Sequence, residues 1–224
     1  GEVVYDELLE LFKKAKKEGW SREEFLHQAS HIAGIYVPSL YKVSYHEDGT
    51  IAAFEPVYYD VPKTVEKQIV MDVTNASYPK TPVVPFIKCT QDRVVLEIQR
   101  GCIRGCRFCQ AGMIYRPTRE RDLEMLKEYA YAMLKSTGHE EISLSSLSSS
   151  DYSDLAGIVN FLIDEFEKTG VNISLPSLRI DAFSLDVMSK VQDIKKSSLT
   201  FAPEAGSQRL RNVINKGLTE EVIL

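Results

Sequence analysis

From Arg93 onward short apolar runs alternate with helix-length amphipathic ones, and this alternation restricts the fold more than any other feature of the 224 residues. Strand-like runs at 93–99, 141–147, 171–178 and 198–202 are separated by helical patterns at about 118–136, 154–168 and 185–192, with a further one from Gln208. The connecting loops are short. Each crossover must return along one face of the sheet, so neighbouring strands become parallel, and a partial or full (βα) barrel is the usual closed form. The predicted fold class is therefore α/β, a parallel-sheet partial barrel that stops after about four units. Thr219-Glu220-Glu221 looks like one more helix start, so the sequence reads as part of a longer protein.

Ahead of this region lies a smaller helical and hairpin segment. Leu8, Leu11, Phe12 and Ala15 fall at helical spacing over 5–18, and Gly19 stops the pattern. Ser21 and Glu24 form a capping-box signature for a second helix. Val43, Tyr45, Ile51 and Ala53 alternate around Asp48-Gly49, which predicts a β-hairpin. Prolines at 56, 62, 79, 82 and 85 then break every regular pattern and predict an extended strap. The expected organisation is 1–55 for helices and hairpin, 56–90 for the strap, and 91–224 for the strand–helix core.

Several function classes fall away on composition. No run of about 18 apolar residues is available to span a bilayer, and the start at Gly1 lacks a basic-then-apolar secretory pattern, so the expected compartment is the cytoplasm. A net charge of -5 argues against a generally basic nucleic-acid surface. Charge is nevertheless uneven. Arg100, Arg104, Arg107, Arg116, Arg119 and Arg121 crowd one stretch, with Glu120 the sole acid between the first and the last. They read either as an entrance for an anion such as RNA or, preferentially, as compensation for a negatively charged group bound nearby.

That stretch contains three of the four cysteines, as Cys102-x3-Cys106-x2-Cys109. Such crowding is unlike a disulfide framework, which spreads its cysteines along a small secreted chain. Three soft thiolates in one loop suit an inorganic cluster and leave one metal corner without a protein ligand, whereas a structural zinc site takes four ligands. The loop follows the first strand of the series, at the end where parallel strand–helix proteins gather their functional residues.

With Phe108 before the last cysteine, the triad resembles the signature of the radical S-adenosylmethionine (radical SAM) superfamily. Glu97-Ile-Gln-Arg-Gly-Cys102, Cys109-Gln-Ala-Gly112 and Tyr115-Arg-Pro117 are similar to an uncharacterised branch related to cobalamin-binding-domain and methylthiotransferase-like members. The resemblance covers about 91–224. It implies a [4Fe–4S] cluster on Cys102, Cys106 and Cys109, with S-adenosylmethionine on the remaining iron, cleaved reductively to a 5′-deoxyadenosyl radical that abstracts hydrogen from a substrate. An electron donor such as a flavodoxin or ferredoxin is implied as partner. RNA or a ribosome-associated protein is the substrate class suggested by the methylthiotransferase-like echoes, without a membrane partner.

The same resemblance nominates cofactor-binding residues and assigns no catalytic one. Phe108 belongs to the cysteine signature. The second strand of such cores usually ends in a Gly-Gly-Glu-like stretch that receives the cofactor's amino group, but here it reads Ser145-Ser-Leu-Ser-Ser-Ser-Asp151, so Ser146, Ser148 and Ser149 would replace the acid. Asp151 reads equally as the start signal of the next helix. Arg179 is placed to pair a carboxylate, or to bridge to Asp181 or Glu204. Glu204, in the 201–207 stretch, would face the cavity. His27 and His31 have ligand spacing, and His31-Ile-Ala-Gly34 echoes part of the Asp-x-His-x-x-Gly cobalamin motif, yet Ala29 replaces the aspartate, so cobalamin is unsupported within this sequence. Two rival readings stand beside the enzyme: an electron carrier in which Cys89 is the fourth cluster ligand, and a structural zinc module.

Overall fold

The computed structural model describes residues 2–175 and 202–223. The chain divides into two compact units, residues 1–71 and 72–224.

In the first unit, α1 (Glu2–Glu18) ends at Gly19, whose φ of 74° suits a residue without Cβ. Ser21 caps α2 (Arg22–Ala29) by accepting the Glu24 amide at 3.1 Å. β1 (Tyr41–Tyr45) and β2 (Ile51–Pro56) pair antiparallel. Their turn is closed by Asp48, whose carboxylate accepts from both the amide and the hydroxyl of Thr50. Val37, Leu40, Tyr41 and Val61 form a small core.

The second unit is built on a parallel sheet ordered β3 (Val94–Glu97), β6 (Glu141–Ser145), β7 (Asn172–Ser174), the numbering leaving room for two short strands between the first two. Those are β4 (Gln99–Arg100) and β5 (Arg119–Glu120), which pair antiparallel around the cysteine loop and the short helix α3 (Gln110–Ile114). Helices α4 (Leu123–Thr137) and α5 (Leu155–Phe166) are the crossovers, and α6 (Gln208–Val213) and α7 (Glu220–Ile223) lie near the end. The chain is thus α/β with a parallel sheet, and no closed barrel is present among the described residues. The sequence-predicted helix at 185–192, the strand at 198–202 up to residue 201 and the end of the strand at 171–178 lie outside those residues.

The core follows from periodicity. Val94, Leu96 and Ile98 alternate along the strand, while Leu126, Tyr129, Ala130, Met133 and Leu134 recur along α4 at helical spacing, and all are buried together with Ile158, Val159 and Leu162 of α5. Each fully buried aliphatic side chain contributes about 1.5–3 kcal/mol, so this layer dominates the unit's stability.

Two boundaries differ from expectation. The helix expected from residue 118 starts at Leu123, because Arg119 and Glu120 pair with Gln99 and Arg100 and because Asp122 takes the amides of Glu124 and Met125. The second half of the proline-rich stretch, from Asp72, belongs to the sheet's own unit. Tyr78 explains why: its hydroxyl donates to the Val95 carbonyl at 2.7 Å and accepts the Glu97 amide at 3.0 Å, covering an edge that no strand pairs among the described residues.

Candidate functional site

The first parallel strand runs past Glu97, since the Ile98 amide still donates to the Ser145 carbonyl at 3.0 Å. It then turns sharply at Gly101, with φ at 83°. A Cβ there would sit 2.7 Å from the Tyr115 carbonyl and 2.8 Å from that of Pro117, so only glycine lets the cysteine loop leave the strand at this point.

Within the loop Cys106 is buried, and Cys102 and Cys109 are half-buried. The Arg104 amide donates to Cys102 Sγ at 3.4 Å, and the Gly112 amide donates to Cys109 Sγ at 3.3 Å. Hydrogen bonds to the sulfurs are among the features by which a protein tunes a thiolate-held cluster. Among the described residues no three His, Cys, Asp or Glu side chains already converge as a metal-ligand set. The fit to a cluster therefore rests on the donors themselves: three soft thiols in eight residues, two of them already hydrogen-bonded, at the carboxyl edge of a parallel sheet.

A distant segment clasps the loop. The Arg107 amide donates to the Ile214 carbonyl at 2.9 Å, and Asn215 Nδ2 donates to the Gly105 carbonyl at 2.8 Å. Asn215 itself has φ of 55°, a conformation asparagine tolerates better than most residues. Next to it, the Lys216 ammonium lies 5.9 Å from the centre of the Phe108 ring and 3.1 Å from the Glu204 carboxylate. Glu204 carries φ of 66°, an uncommon backbone for glutamate. The structure thus brings two of the nominated residues, Phe108 and Glu204, together through a lysine. Phe108 is exposed, as the notion of a surface for a ligand requires.

The serine turn behaves differently. Ser146 and Ser149 share a hydrogen bond at 3.1 Å, the Ser148 amide donates to Ser146 Oγ, and Ser148 Oγ donates to Asp151 at 2.7 Å. Asp151 is almost wholly buried and receives the Arg104 guanidinium through Nε at 2.9 Å and through Nη2. Hence Asp151 ties the turn to the cysteine loop, and helix α5 takes its start signal from Asp154, whose carboxylate accepts the Gly157 amide. Arg179 lies outside the described residues.

The arginines are engaged at short range. Arg116 donates to the Arg104 carbonyl, Arg119 to those of Pro117 and Tyr115, and Arg100 to Glu97. Arg121, 1% exposed, bonds Glu97 and the Val73 carbonyl while its guanidinium lies 4.6 Å from the Tyr78 ring centre. These contacts fasten the loop and its surroundings.

Sequence reasoning passed over Gln99. It is 2% exposed, and neither Oε1 nor Nε2 has a hydrogen-bond partner among the described residues. Leaving a buried amide unmet costs about 1–3 kcal/mol per group, so such a residue asks for a reason. Its signal in the sequence was a polar residue where a buried strand enters the cysteine loop.

His27 and His31 flank Asp60 at 3.4 and 3.7 Å, and both ring nitrogens of His31 face carbonyl oxygens, of His27 and Asp60. A ring so placed has no lone pair directed at a metal.

Residues 96–224 match the family model described as the Radical SAM superfamily. The chain belongs to the Radical SAM superfamily. It is 37% identical over 174 residues to "Uncharacterized protein MJ0966" of Methanocaldococcus jannaschii, covering 74% of this chain and 38% of that protein. Over 135 residues it is 27% identical to "Putative methylthiotransferase MJ0865" of the same organism, covering 57% and 30% respectively. The chain thus spans about a third of the length of these curated relatives. No helix among the described residues is long and apolar enough to cross a membrane.

Proposed function

We propose that this chain is the core of a radical SAM enzyme in which Cys102, Cys106 and Cys109 hold a [4Fe–4S] cluster with one iron left for S-adenosylmethionine. The observation that carries the reading is the loop itself, with three thiols and amide-to-sulfur bonds at the carboxyl edge of the parallel sheet. When bound there, the cluster would provide the one-electron chemistry for reductive cleavage of the sulfonium, the family's route to hydrogen abstraction from a substrate.

The chain's own contribution is to fix this loop and shield it. Gly101 sets its exit, Asn215 and Ile214 hold it from outside, and Arg104 joins it to Asp151. Phe108 presents an apolar face beside Cys109 for the cofactor, and the Lys216–Glu204 pair stands next to that ring, with charges matching an amino-acid zwitterion. By analogy with methylthiotransferase-like members of the family, a class to which the second relative's name assigns that protein, the substrate class is RNA or a ribosome-associated protein, with a flavodoxin or ferredoxin as reductant in the cytoplasm.

Geometry speaks against the electron carrier. Cys89 is exposed and lines a cleft with Gly138, His139, Glu140 and Asn172, which precede or open the parallel strands, so it lies at the opposite edge of the sheet from the triad. Anaerobic reconstitution tests the proposal: about four irons per chain are expected, with an electron paramagnetic resonance spectrum that shifts on adding S-adenosylmethionine. Cys89→Ser is expected to leave both unchanged, and Cys106→Ala to lose both. Zinc in the pocket, or an iron centre indifferent to the sulfonium, overturns it.

A further inference from the structure

Ser146, Ser148, Ser149 and Asp151 of the serine turn are each committed to a neighbour, whereas Gln99, on the adjacent strand at the same edge, is committed to none among the described residues. Val94, Leu96 and Ile98 belong to the core under α4 and α5, so period-two alternation puts Val95, Glu97 and Gln99 on the other face of the strand. Of these, Val95 is partly exposed, and Glu97 is bonded by Arg100 and Arg121. Of the three, Gln99 alone is both buried and without a bond among the described residues. Along the chain it stands three residues before Cys102, and its strand neighbour β6 ends at Ser145, where the serine turn begins.

We propose that Gln99 is a ligand-reading residue whose carboxamide takes a ligand edge bearing a hydrogen-bond donor beside an acceptor. A primary amide offers both functions in one plane, and a complementary edge satisfies Nε2 and Oε1 together. This rests on the radical SAM reading, because S-adenosylmethionine carries two such edges: the ammonium and carboxylate of its methionine end, and the N6 amine and N7 of its adenine, which glutamine matches in a bidentate way. Ser148 spends its hydroxyl proton on Asp151, and Ser146 and Ser149 share one bond, whereas Gln99 at the same edge has both its carbonyl oxygen and its amide N–H uncommitted among the described residues. Gln99 is here a positioning and selectivity residue and takes no part in bond cleavage.

The test is a binding cycle on the reconstituted chain. Wild type, Gln99→Leu and Gln99→Met are compared for equilibrium affinity toward S-adenosylmethionine, its decarboxylated analogue and its 7-deaza analogue. Gln99→Met keeps the unbranched length, in case the branched side chain of Gln99→Leu prevents folding. Iron content and thermal midpoint are recorded alongside. The expected result is an unchanged iron content, a free-protein midpoint equal to or above wild type, and at least a tenfold loss of S-adenosylmethionine affinity. The two analogues separate the ends of the ligand. If wild type discriminates against the decarboxylated compound and the variants do not, Gln99 reads the methionine end; lost discrimination against the 7-deaza compound assigns it to adenine. Variants that bind all three ligands as wild type does would overturn the proposal and make Gln99 a core residue. Should wild type hold no cluster and bind no S-adenosylmethionine, the radical SAM reading fails instead, a separate outcome.

Discussion

The cysteine loop and the serine turn leave adjacent parallel strands at one edge of the same sheet, yet they are held in opposite ways. The turn is fastened from within: Ser146, Ser148, Ser149 and Asp151 use their own side chains on each other. The loop is fastened from outside, by Asn215 on the Gly105 carbonyl, Ile214 on the Arg107 amide and Arg116 on the Arg104 carbonyl. A loop that borrows its rigidity keeps its own thiols and its aromatic ring for a ligand. A turn that stitches itself together has few side chains left to offer.

Asp151 is where the two meet, so removing it is expected to have the largest effect on the contrast. Asp151→Ala takes the buried carboxylate from Ser148 and from Arg104, whose side chain is about a third exposed, and should destabilise the chain by about 1–3 kcal/mol in urea unfolding. A loss near zero would mean that loop and turn are independent. Asn215→Ala removes a clasp on one loop only. The expected cost is about 1 kcal/mol, together with faster maleimide labelling of the triad but not of Cys89 in the cluster-free chain. Equal labelling rates would show that the clasp does not restrain the loop.

The smallest effect concerns the residue after the turn. Tyr152 donates its hydroxyl to the Arg121 carbonyl at 2.9 Å, and burial, aided by the carboxylates of Glu120, Asp154 and Asp122, pushes its phenol up to about 12 from 10. Below pH 10 both folded and unfolded chains keep the proton, so the contribution is fully present. Above it the unfolded chain ionises first, and stability should fall as pH rises toward 12. Tyr152→Phe is expected to flatten that stretch of the pH–stability curve; an unchanged slope would trace it to other groups.

Much of this architecture was legible in the sequence because it depends on local chemistry. Strand and helix periods announced β3, α4, β6 and α5, and Ser21, Gly19 and Asp48-Gly49 announced their caps and turns. The cysteine spacing announced the superfamily that residues 96–224 match. What could not be read were the partners of polar groups. Serine hydroxyls nominated for a cofactor bond each other, because a compact turn brings them within 3.1 Å, and Asp151 meets an arginine 47 residues away instead of starting a helix.

The sequence by itself therefore determined the element order of the described residues, the parallel α/β class and the crowding of three cysteines into one loop, since these follow from period, crossover geometry and spacing within short stretches. Only the tertiary structure decided that Ile214 and Asn215 clasp the cysteine loop, that Lys216 joins Phe108 to Glu204, and that Gln99 is buried without a partner among the described residues. Hydrogen bonds between segments a hundred residues apart leave no local pattern, and whether a polar atom is satisfied depends on everything packed around it.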